Sequence, residues 1–220
     1  MNLIQILNTN LAKRIYVAIS SLIFLYLFEQ NLQEQMISLL YLTCIILYSE
    51  LLINTYNSYC SIIKKNIIFI FGCFYLLYGT IALQEILESN YIWQFLFSVF
   101  IIDTTSYICG NIIKGKKLAP QISPNKHISG AICGLIFGAI ACKILVIDTL
   151  NISRGMTQDI ILSIIFAIIT QLGDLLVSYA KRILSIKDSS SLLGSHGGFW
   201  DRFDSIFASA IFTYFLMYLK

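Results

Sequence analysis

Long apolar runs separated by short polar segments make up most of this chain. Seven runs reach or approach the roughly 20 residues that an α-helix needs to cross a bilayer. They are residues 15–29, 36–54, 66–84, 91–110, 130–147, 158–180 and 198–219. The polar segments between them leave essentially no room for a soluble domain. The pattern therefore predicts an all-α polytopic integral membrane protein with about seven transmembrane helices and short loops.

The composition agrees with this assignment. Hydrophobic residues make up 57% of the 220 positions, and the mean hydropathy is +0.77, which is too apolar for an ordinary soluble domain. The six cysteines lie within the apolar runs or at their edges. They show neither a CxxC motif nor a zinc-type spacing, so we interpret them as small packing residues. We expect a lipid bilayer as the environment and no nucleic acid as a partner.

The positive residues collect on one side of the predicted bundle, and Lys and Arg near helix ends favour the cytoplasmic side. That side holds Lys13, Arg14, Lys64, Lys65, Lys114, Lys116, Lys117, Lys126, Lys181, Arg182, Lys187 and Arg202. The opposite side holds Arg154 and Lys220, and Lys143 lies within a span. We therefore expect a cytoplasmic N-terminus and a location in the cell (inner) membrane. An alternative for the first four cations is that they are topology signals in contact with anionic lipid.

Four aspartates lie inside predicted helices or at their edges, all in the cytoplasmic half of the membrane. They are Asp103, Asp174, Asp201 and Asp204. A carboxylate at this depth is unfavourable unless it faces a polar cavity or a partner. Asp174 shares a helix face with Ser178 and Lys181, and carboxylates that converge from separate helices can bind a hard cation such as Mg²⁺. The alternative for the last two aspartates is a favourable charge in the first turn of a helix, and for the first one a structural hydrogen bond.

Two predicted cytoplasmic loops suit an anionic ligand. Residues 111–129 contain both prolines of the chain, Pro120 and Pro124, together with several lysines, and the prolines predict a stiff non-helical connection. Residues 181–197 end in the sequence GSHG, whose glycines allow the backbone to approach a phosphate closely. The next helix begins with its positive N-terminal end facing this loop, which is a common geometry for anion binding. An alternative for His196 is a surface position without a role.

Cations in the loops and carboxylates in the helices complement each other chemically. Phosphoryl and nucleotidyl transfer need cations for the phosphates and carboxylates for Mg²⁺. The residues therefore predict a site for a nucleotide and a metal that faces the cytoplasm. The main rival is a transporter or ion-coupled channel in which Asp103, Lys143 and Asp174 relay cations, but the concentration of charge on one membrane side argues against it.

One long motif runs through residues 178–204. It reads S-x-x-K-R-x4-K-D-x-S-x2-L-G-x-H-G-G-x-x-D-R-x-D. Upstream, residues 171–175 read QLGDL, residues 122–126 read ISPNK, and Asp103-Thr104 is followed by Tyr107 and Gly110. Together these motifs resemble the phosphatidate cytidylyltransferase (CDP-diacylglycerol synthase) family, whose corresponding segments are QxGDL, ISPxK and DTxAYxxG. The resemblance covers about residues 100–205, whereas residues 1–95 agree only in being apolar.

The resemblance implies transfer of CMP from CTP to phosphatidic acid, which gives CDP-diacylglycerol and pyrophosphate. It implies Mg²⁺ held by Asp174 and Asp201, with a monovalent cation such as K⁺ as a further candidate. The catalytic residues it suggests are Lys181, Arg182, Asp188, His196, Arg202 and Asp204. The substrate-binding residues it suggests are Asp103, Ser123, Lys126, Ser178, Lys187, Gly197 and Gly198. The cations among them would stabilise the transition state and the departing pyrophosphate.

Several alternatives stay open within and beside this resemblance. The chain departs from the family pattern at Asn111, His127, Ser129, Val177 and Ala180. The rivals are another CTP-using lipid enzyme, such as a polyprenol kinase or a CDP-archaeol synthase-like protein, and a decayed family member that persists as a structural subunit.

The expected organisation is a set of N-terminal helices in residues 1–95 and a catalytic membrane domain in residues 96–220. A homodimer is an open alternative to a monomer. Lateral access of lipid between helices is a further hypothesis. The small residues Gly130, Gly134 and Gly138 would line either such a gap or a close helix contact.

Overall fold

The computed structural model describes residues 33–192 and 197–218. Contacts within the chain divide it into two compact units, residues 1–39 and 40–220. Of the first unit, the described part is the beginning of helix α1 (Gln33–Asn57). The predicted span at residues 15–29 lies outside the described residues, and so does His196.

Helices form most of the described chain. After α1 come α2 (Ile62–Glu88), α3 (Ile92–Ile113), α4 (Ile128–Cys142), α5 (Met156–Ile183) and α6 (Trp200–Tyr218). A π-helical turn, Lys143–Ile147, continues α4. Each of these helices was predicted from the apolar runs, with ends that differ by several residues because caps and turns, rather than hydrophobicity, decide where a helix ends.

Five helical segments within the described residues are long and apolar enough to cross a membrane. They are Glu34–Asn57, Ile62–Glu88, Ile92–Ile113, Ile128–Ile147 and Met156–Ile183. This confirms a helical polytopic membrane protein. Helix α6 is not one of these five, and its first five residues include three charged ones, Asp201, Arg202 and Asp204. The count of seven spans and the cytoplasmic N-terminus stay predictions. The domain boundary between residues 95 and 96 also stays a prediction.

Short connections make consecutive helices antiparallel, so that alternate helix ends meet. The carboxyl ends of α1, α3 and α5 lie with the amino ends of α2, α4 and α6, and we call this the polar end of the bundle. Helix α6 packs against α2 and α5, while α4 packs against α3 and α5. The charged residues of the long motif therefore lie where several helices converge.

The glycine stripe of α4 allows this helix to approach α3 closely. A Cβ atom on Gly130 would overlap the carbonyl oxygen of Ser106, and one on Gly134 would overlap the hydroxyl of the same serine. A Cβ on Gly138 would overlap the side chain of Ile102. Of the two alternatives for these glycines, the structure has the close helix contact.

The connection between α3 and α4 is a small antiparallel hairpin of strands β1 (Lys117–Ala119) and β2 (Ser123–His127). The predicted non-helical character of residues 111–129 is therefore confirmed for residues 114–127, whereas α3 continues to Ile113 and α4 begins at Ile128. The hairpin itself was not predicted. Lys117 pairs with His127 in its register, and the Lys117 ammonium lies 3.0 Å from Nε2 of His127.

Candidate functional site

Helices α5 and α6 touch at Gly173, beside the aspartate of the QLGDL motif. A Cβ atom at Gly173 would overlap the Cβ of Ala208 and lie 2.8 Å from the carbonyl oxygen of Asp204. The glycine therefore permits a backbone contact that a larger residue would prevent. This contact places the following residue, Asp174, beside the α5–α6 interface.

Three of the predicted aspartates share one electrostatic environment. The charge of Asp174 acts on both Asp103 and Asp204, so residues from α3, α5 and α6 converge as the sequence predicted. Oδ2 of Asp103 accepts a hydrogen bond of 3.1 Å from the hydroxyl of Ser205. Asp204 is buried, and its Oδ1 accepts the backbone N–H of Ser205 at 2.8 Å.

Asp103 lies within α3, away from the end of the helix. Its side chain is exposed on the surface of the described chain, roughly 15 Å from the end of α3 at 1.5 Å rise per residue. The charges of Lys126 and Arg202 also act on it. These cations are partners of the kind that a carboxylate within a membrane helix requires.

Lys126 of the hairpin forms an ion pair with Oδ2 of Asp174. The other oxygen of this carboxylate, Oδ1, lies 3.3 Å from the hydroxyl of Ser178, one turn further along α5. Both side chains of the ion pair are partly exposed, at 30% and 27%. A residue predicted to bind phosphate is thus paired with one predicted to bind metal.

Lys181 and Asp201 form a second pair of the same kind. The ammonium of Lys181 donates to Oδ1 of Asp201, and both side chains are largely buried. Oδ2 of the same aspartate accepts the N–H of Gly198 at 2.9 Å and both the N–H and the hydroxyl of Ser189 at 3.0 and 3.1 Å. The first-turn role that was the alternative for Asp201 is therefore present in the structure, together with the lysine contact.

Gly197 and Gly198 form the turn that enters α6. Gly197 has a φ of +81°, which favours glycine. A Cβ at Gly198 would lie 2.5 Å from Oε1 of Glu50 and 2.6 Å from the hydroxyl of Ser190. The geometry of this turn explains why both positions are glycine. Their contact with phosphate stays a prediction.

Arg182 clamps two loops together. Its Nε donates to the carbonyl of Ile122, in the turn between β1 and β2, at 3.0 Å. Its Nη1 donates to the carbonyl of Ile186 at 3.1 Å. These contacts tie the hairpin to the end of α5. Its catalytic role stays a prediction.

The remaining candidate site residues lie on the hairpin, on the loop after α5 and at the start of α6. Lys187 and Asp188 are exposed on the loop after α5, Arg202 is exposed in the first turn of α6, and Ser123 is half-buried at the start of β2. The structure does not bring Lys187 or Asp188 into the contacts described for the two ion pairs. Their roles and that of His196 stay predictions.

Sequence reasoning missed Glu50, which lies near the end of α1. It is 3% exposed, and its carboxylate accepts hydrogen bonds from the loop before α6 and from the amino end of α6. The available signal was an isolated acidic residue within an apolar run, which is costly unless it has partners. It belongs to no recognised motif, because the resemblance does not extend to residues 1–95.

The two aspartates predicted to hold Mg²⁺ each pair with a lysine. Among residues 33–192 and 197–218, no group of three or more His, Cys, Asp and Glu side chains is arranged to hold a metal ion. Oδ2 of Asp174 and Oδ1 of Asp201 each face a lysine ammonium. Carboxylate oxygens are the donor type that Mg²⁺ takes from proteins, with its other ligands from water and phosphate, and its binding at this site stays a prediction.

Comparison with known proteins decides the family. The model of the cytidylyltransferase family matches residues 3–220. The chain belongs to the cytidylyltransferase family. The family resemblance that the motifs indicated is therefore confirmed.

Relatives named phosphatidate cytidylyltransferase are similar to this chain over a large part of it. The protein from Rickettsia typhi is 42% identical over 130 residues, which cover 56% of this chain and 57% of the relative. The protein from Rickettsia conorii is 38% identical over 120 residues, 52% of each chain. The protein from Aquifex aeolicus is 31% identical over 157 residues, 71% of this chain and 58% of the relative. The chain thus spans somewhat more than half the length of the curated relatives it matches.

Proposed function

We propose that this protein is a CTP:phosphatidate cytidylyltransferase that makes CDP-diacylglycerol and pyrophosphate for phospholipid biosynthesis. The observation that carries the proposal is the double pairing of Lys126 with Asp174 and Lys181 with Asp201 at the polar end of a membrane bundle. Membership of the cytidylyltransferase family and the names of the similar proteins agree with it.

In the proposed reaction, a phosphate oxygen of phosphatidic acid attacks the α-phosphorus of CTP. The bond from that phosphorus to the bridging oxygen breaks, and pyrophosphate leaves with the electron pair. The nucleophile is already an anion, so the reaction does not require a strong general base. This agrees with a site that is rich in lysine and aspartate.

Each ion pair combines a carboxylate, which could hold Mg²⁺, with an ammonium group, which could contact the phosphates of CTP. Mg²⁺, when bound, would neutralise phosphate charge, and Asp174 and Asp201 are the residues that would hold it. Lys126 and Lys181 would then turn from the carboxylates to the phosphates, where ammonium groups stabilise the developing charge. Asp103 and Asp204 would contribute negative charge beside Asp174 and favour the presence of cations there.

A small apolar cavity lies beside Lys181. Leu51, Phe71 and Val177 line it together with Lys181, Ser189 and Trp200. The cavity is too small for an acyl chain. Phe71 is 45% exposed on α2, so acyl chains would lie along exposed apolar side chains such as this one, with the lipid phosphate towards the ammonium of Lys181.

The proposed location is the cell (inner) membrane with the polar end towards the cytoplasm. The lysines of the hairpin and the loop after α5 all belong to this end, in agreement with the preference of positive loops for the cytoplasmic side. CTP is a soluble cytoplasmic nucleotide, and phosphatidic acid is held in the bilayer. A site at this boundary could reach both substrates.

The deciding experiment uses the full chain purified in detergent with labelled CTP, Mg²⁺ and phosphatidic acid. Formation of lipid-linked CMP together with pyrophosphate supports the proposal. Formation of phosphorylated lipid together with CDP would instead identify a CTP-dependent lipid kinase. Absence of turnover with any lipid phosphate, by a protein shown to be folded, would reject the enzyme and favour the transporter or the structural subunit.

A further inference from the structure

Glu50 is a buried carboxylate that lies outside the long motif but bonds directly to it. Its Oε1 accepts the hydroxyl of Ser190 at 2.5 Å and the N–H of Phe199 at 3.1 Å. Its Oε2 accepts the hydroxyl of Ser189 at 3.2 Å and the N–H of Trp200 at 3.0 Å. The side chain of Glu50 thus bonds α1 both to the loop after α5 and to the amino end of α6.

The groups that bond to Glu50 also present Asp201. Ser189 donates both its N–H and its hydroxyl to Oδ2 of Asp201, and Trp200 is the residue before that aspartate. Its indole N–H adds a second tie to α1, a 2.7 Å hydrogen bond to the carbonyl of Leu47. The side-chain amide of Asn54 donates to the carbonyl of Ser189 at 2.8 Å. The position of Asp201 therefore depends on α1.

We propose that Glu50 is a positioning residue that fixes Asp201 and the turn at Gly198 in the arrangement the reaction needs. The inference rests on the proposed function, since it assigns Glu50 a part in CMP transfer. It assigns no contact between Glu50 and the substrates. Helix α1 then has a defined task, which is to hold the first turn of α6 against the end of α5.

A carboxylate meets this requirement where an amide does not. Each oxygen of Glu50 accepts one backbone N–H, and a backbone N–H cannot reverse its direction. In a Glu50→Gln variant, one of these two N–H groups would face an NH₂ group, which is a donor and not an acceptor. A buried donor without an acceptor is unfavourable, so the turn would have to move away from α1.

The experiment compares Glu50→Gln and Glu50→Ala with Glu88→Gln, which alters an exposed glutamate at the opposite end of α2. Turnover is measured per folded molecule in the CMP-transfer assay, with kcat and the KM for CTP determined separately. The second readout is the emission of Trp200. The chain has two tryptophans, so a Trp93→Phe background makes Trp200 the only reporter, and circular dichroism records the helix content.

We expect Glu50→Gln to lower kcat at least about tenfold, the effect of one lost hydrogen bond to a charged group, and Glu50→Ala to lower it further. The KM for CTP should change less than kcat. Trp200 emission should shift to the red in both variants at unchanged helix content, and Glu88→Gln should resemble the parent. A purely structural role would reduce the yield of folded protein without lowering kcat per folded molecule.

Two results overturn the inference. One is a Glu50→Gln protein whose kcat stays within about twofold of the parent. The other is unchanged Trp200 emission in both Glu50 variants, which decides against the positioning role even when the parent transfers no CMP. A parent that transfers no CMP defeats the proposed function, and a red shift in that case would still establish the anchoring of α6 by Glu50 while removing its part in catalysis.

Discussion

Lys126 of the hairpin and Asp174 of α5 form an ion pair although 48 residues separate them in the sequence. The pair joins the ISPNK segment to the QLGDL segment, two motifs that carry the family resemblance. The interaction is partly exposed to solvent, and an exposed ion pair adds little to stability, about 0–1 kcal/mol. Its position beside Asp103 and Asp204 therefore indicates a role in chemistry more than in folding.

Exchange of the two charges separates these roles. We expect the Lys126→Asp/Asp174→Lys double variant to fold, because the ion pair can form in the opposite sense. It should nevertheless lose at least about 100-fold in CMP transfer, since electrostatic groups must match the charge of the reacting phosphates. Thermal stability in detergent and turnover are measured on the same samples. Recovery of activity in the exchanged variant would show that the pair serves only as a structural link.

Asp174→Asn tests the carboxylate alone. The substitution preserves shape but removes the charge that would hold a cation, and we expect turnover to fall at least about 100-fold. The matched control is Asp148→Asn, because Asp148 also pairs with a lysine, Lys143, at 2.9 Å, but at the other end of the bundle. The control should keep turnover within about twofold. Equal losses in the two variants would indicate damage to the fold instead of the site.

The apolar pattern was sufficient to predict the helices, because burial in lipid and helical length leave a clear signal in sequence. It did not predict the hairpin of β1 and β2. Its strands are short, contain Pro124 and lysines, and lack the alternating pattern of a longer strand. Local hydrogen bonds and the contact of Lys126 with α5 hold it instead, and neither is visible before the chain is folded.

The motifs singled out the charged residues of both ion pairs, but they did not predict how these residues are paired. The resemblance assigns Asp174 and Asp201 the same role as metal ligands. Asp174 nevertheless binds a lysine of the hairpin, and Asp201 binds a lysine of α5. Arg182 was expected at the phosphates, and the structure uses its guanidinium to join two loops. These differences arise from tertiary contacts, which spacing along one helix does not encode.

Gly173→Ala tests the approach of α5 to α6. An added methyl would overlap Ala208 and press on the carbonyl oxygen of Asp204, so we expect a loss of about 1–3 kcal/mol in stability and at least about tenfold in turnover. The Gly173→Ala/Ala208→Gly double variant should recover only part of both, since the carbonyl contact remains. Stability and turnover of the single and double variants are compared in detergent. A fully active single variant would contradict the close contact.

Arg182→Lys tests the clamp between the two loops. A lysine keeps the charge but lacks the planar fork that reaches the carbonyls of Ile122 and Ile186 together. We expect trypsin to cleave this variant faster than the parent after Lys114, Lys116 and Lys117, which lie between the end of α3 and the first residue of the hairpin. Lys187→Arg, a conservative change at an exposed position of the neighbouring loop, is the control and should leave that cleavage rate unchanged. Equal cleavage of parent and Arg182→Lys would show that the guanidinium does not hold the two loops together.

Tyr75 extends the support of the site to α2. Its hydroxyl donates to the carbonyl oxygen of Asp204, and its ring stacks with Trp200 at a centroid distance of 6.2 Å. Tyr75→Phe keeps the ring and removes one buried hydrogen bond, so we expect a loss of about 1 kcal/mol in stability. Tyr78→Phe is the matched control, because Tyr78 lies on the same helix and is 55% exposed. Thermal unfolding in detergent should distinguish the two variants, and equal midpoints would mean that the hydroxyl of Tyr75 does not hold the first turn of α6.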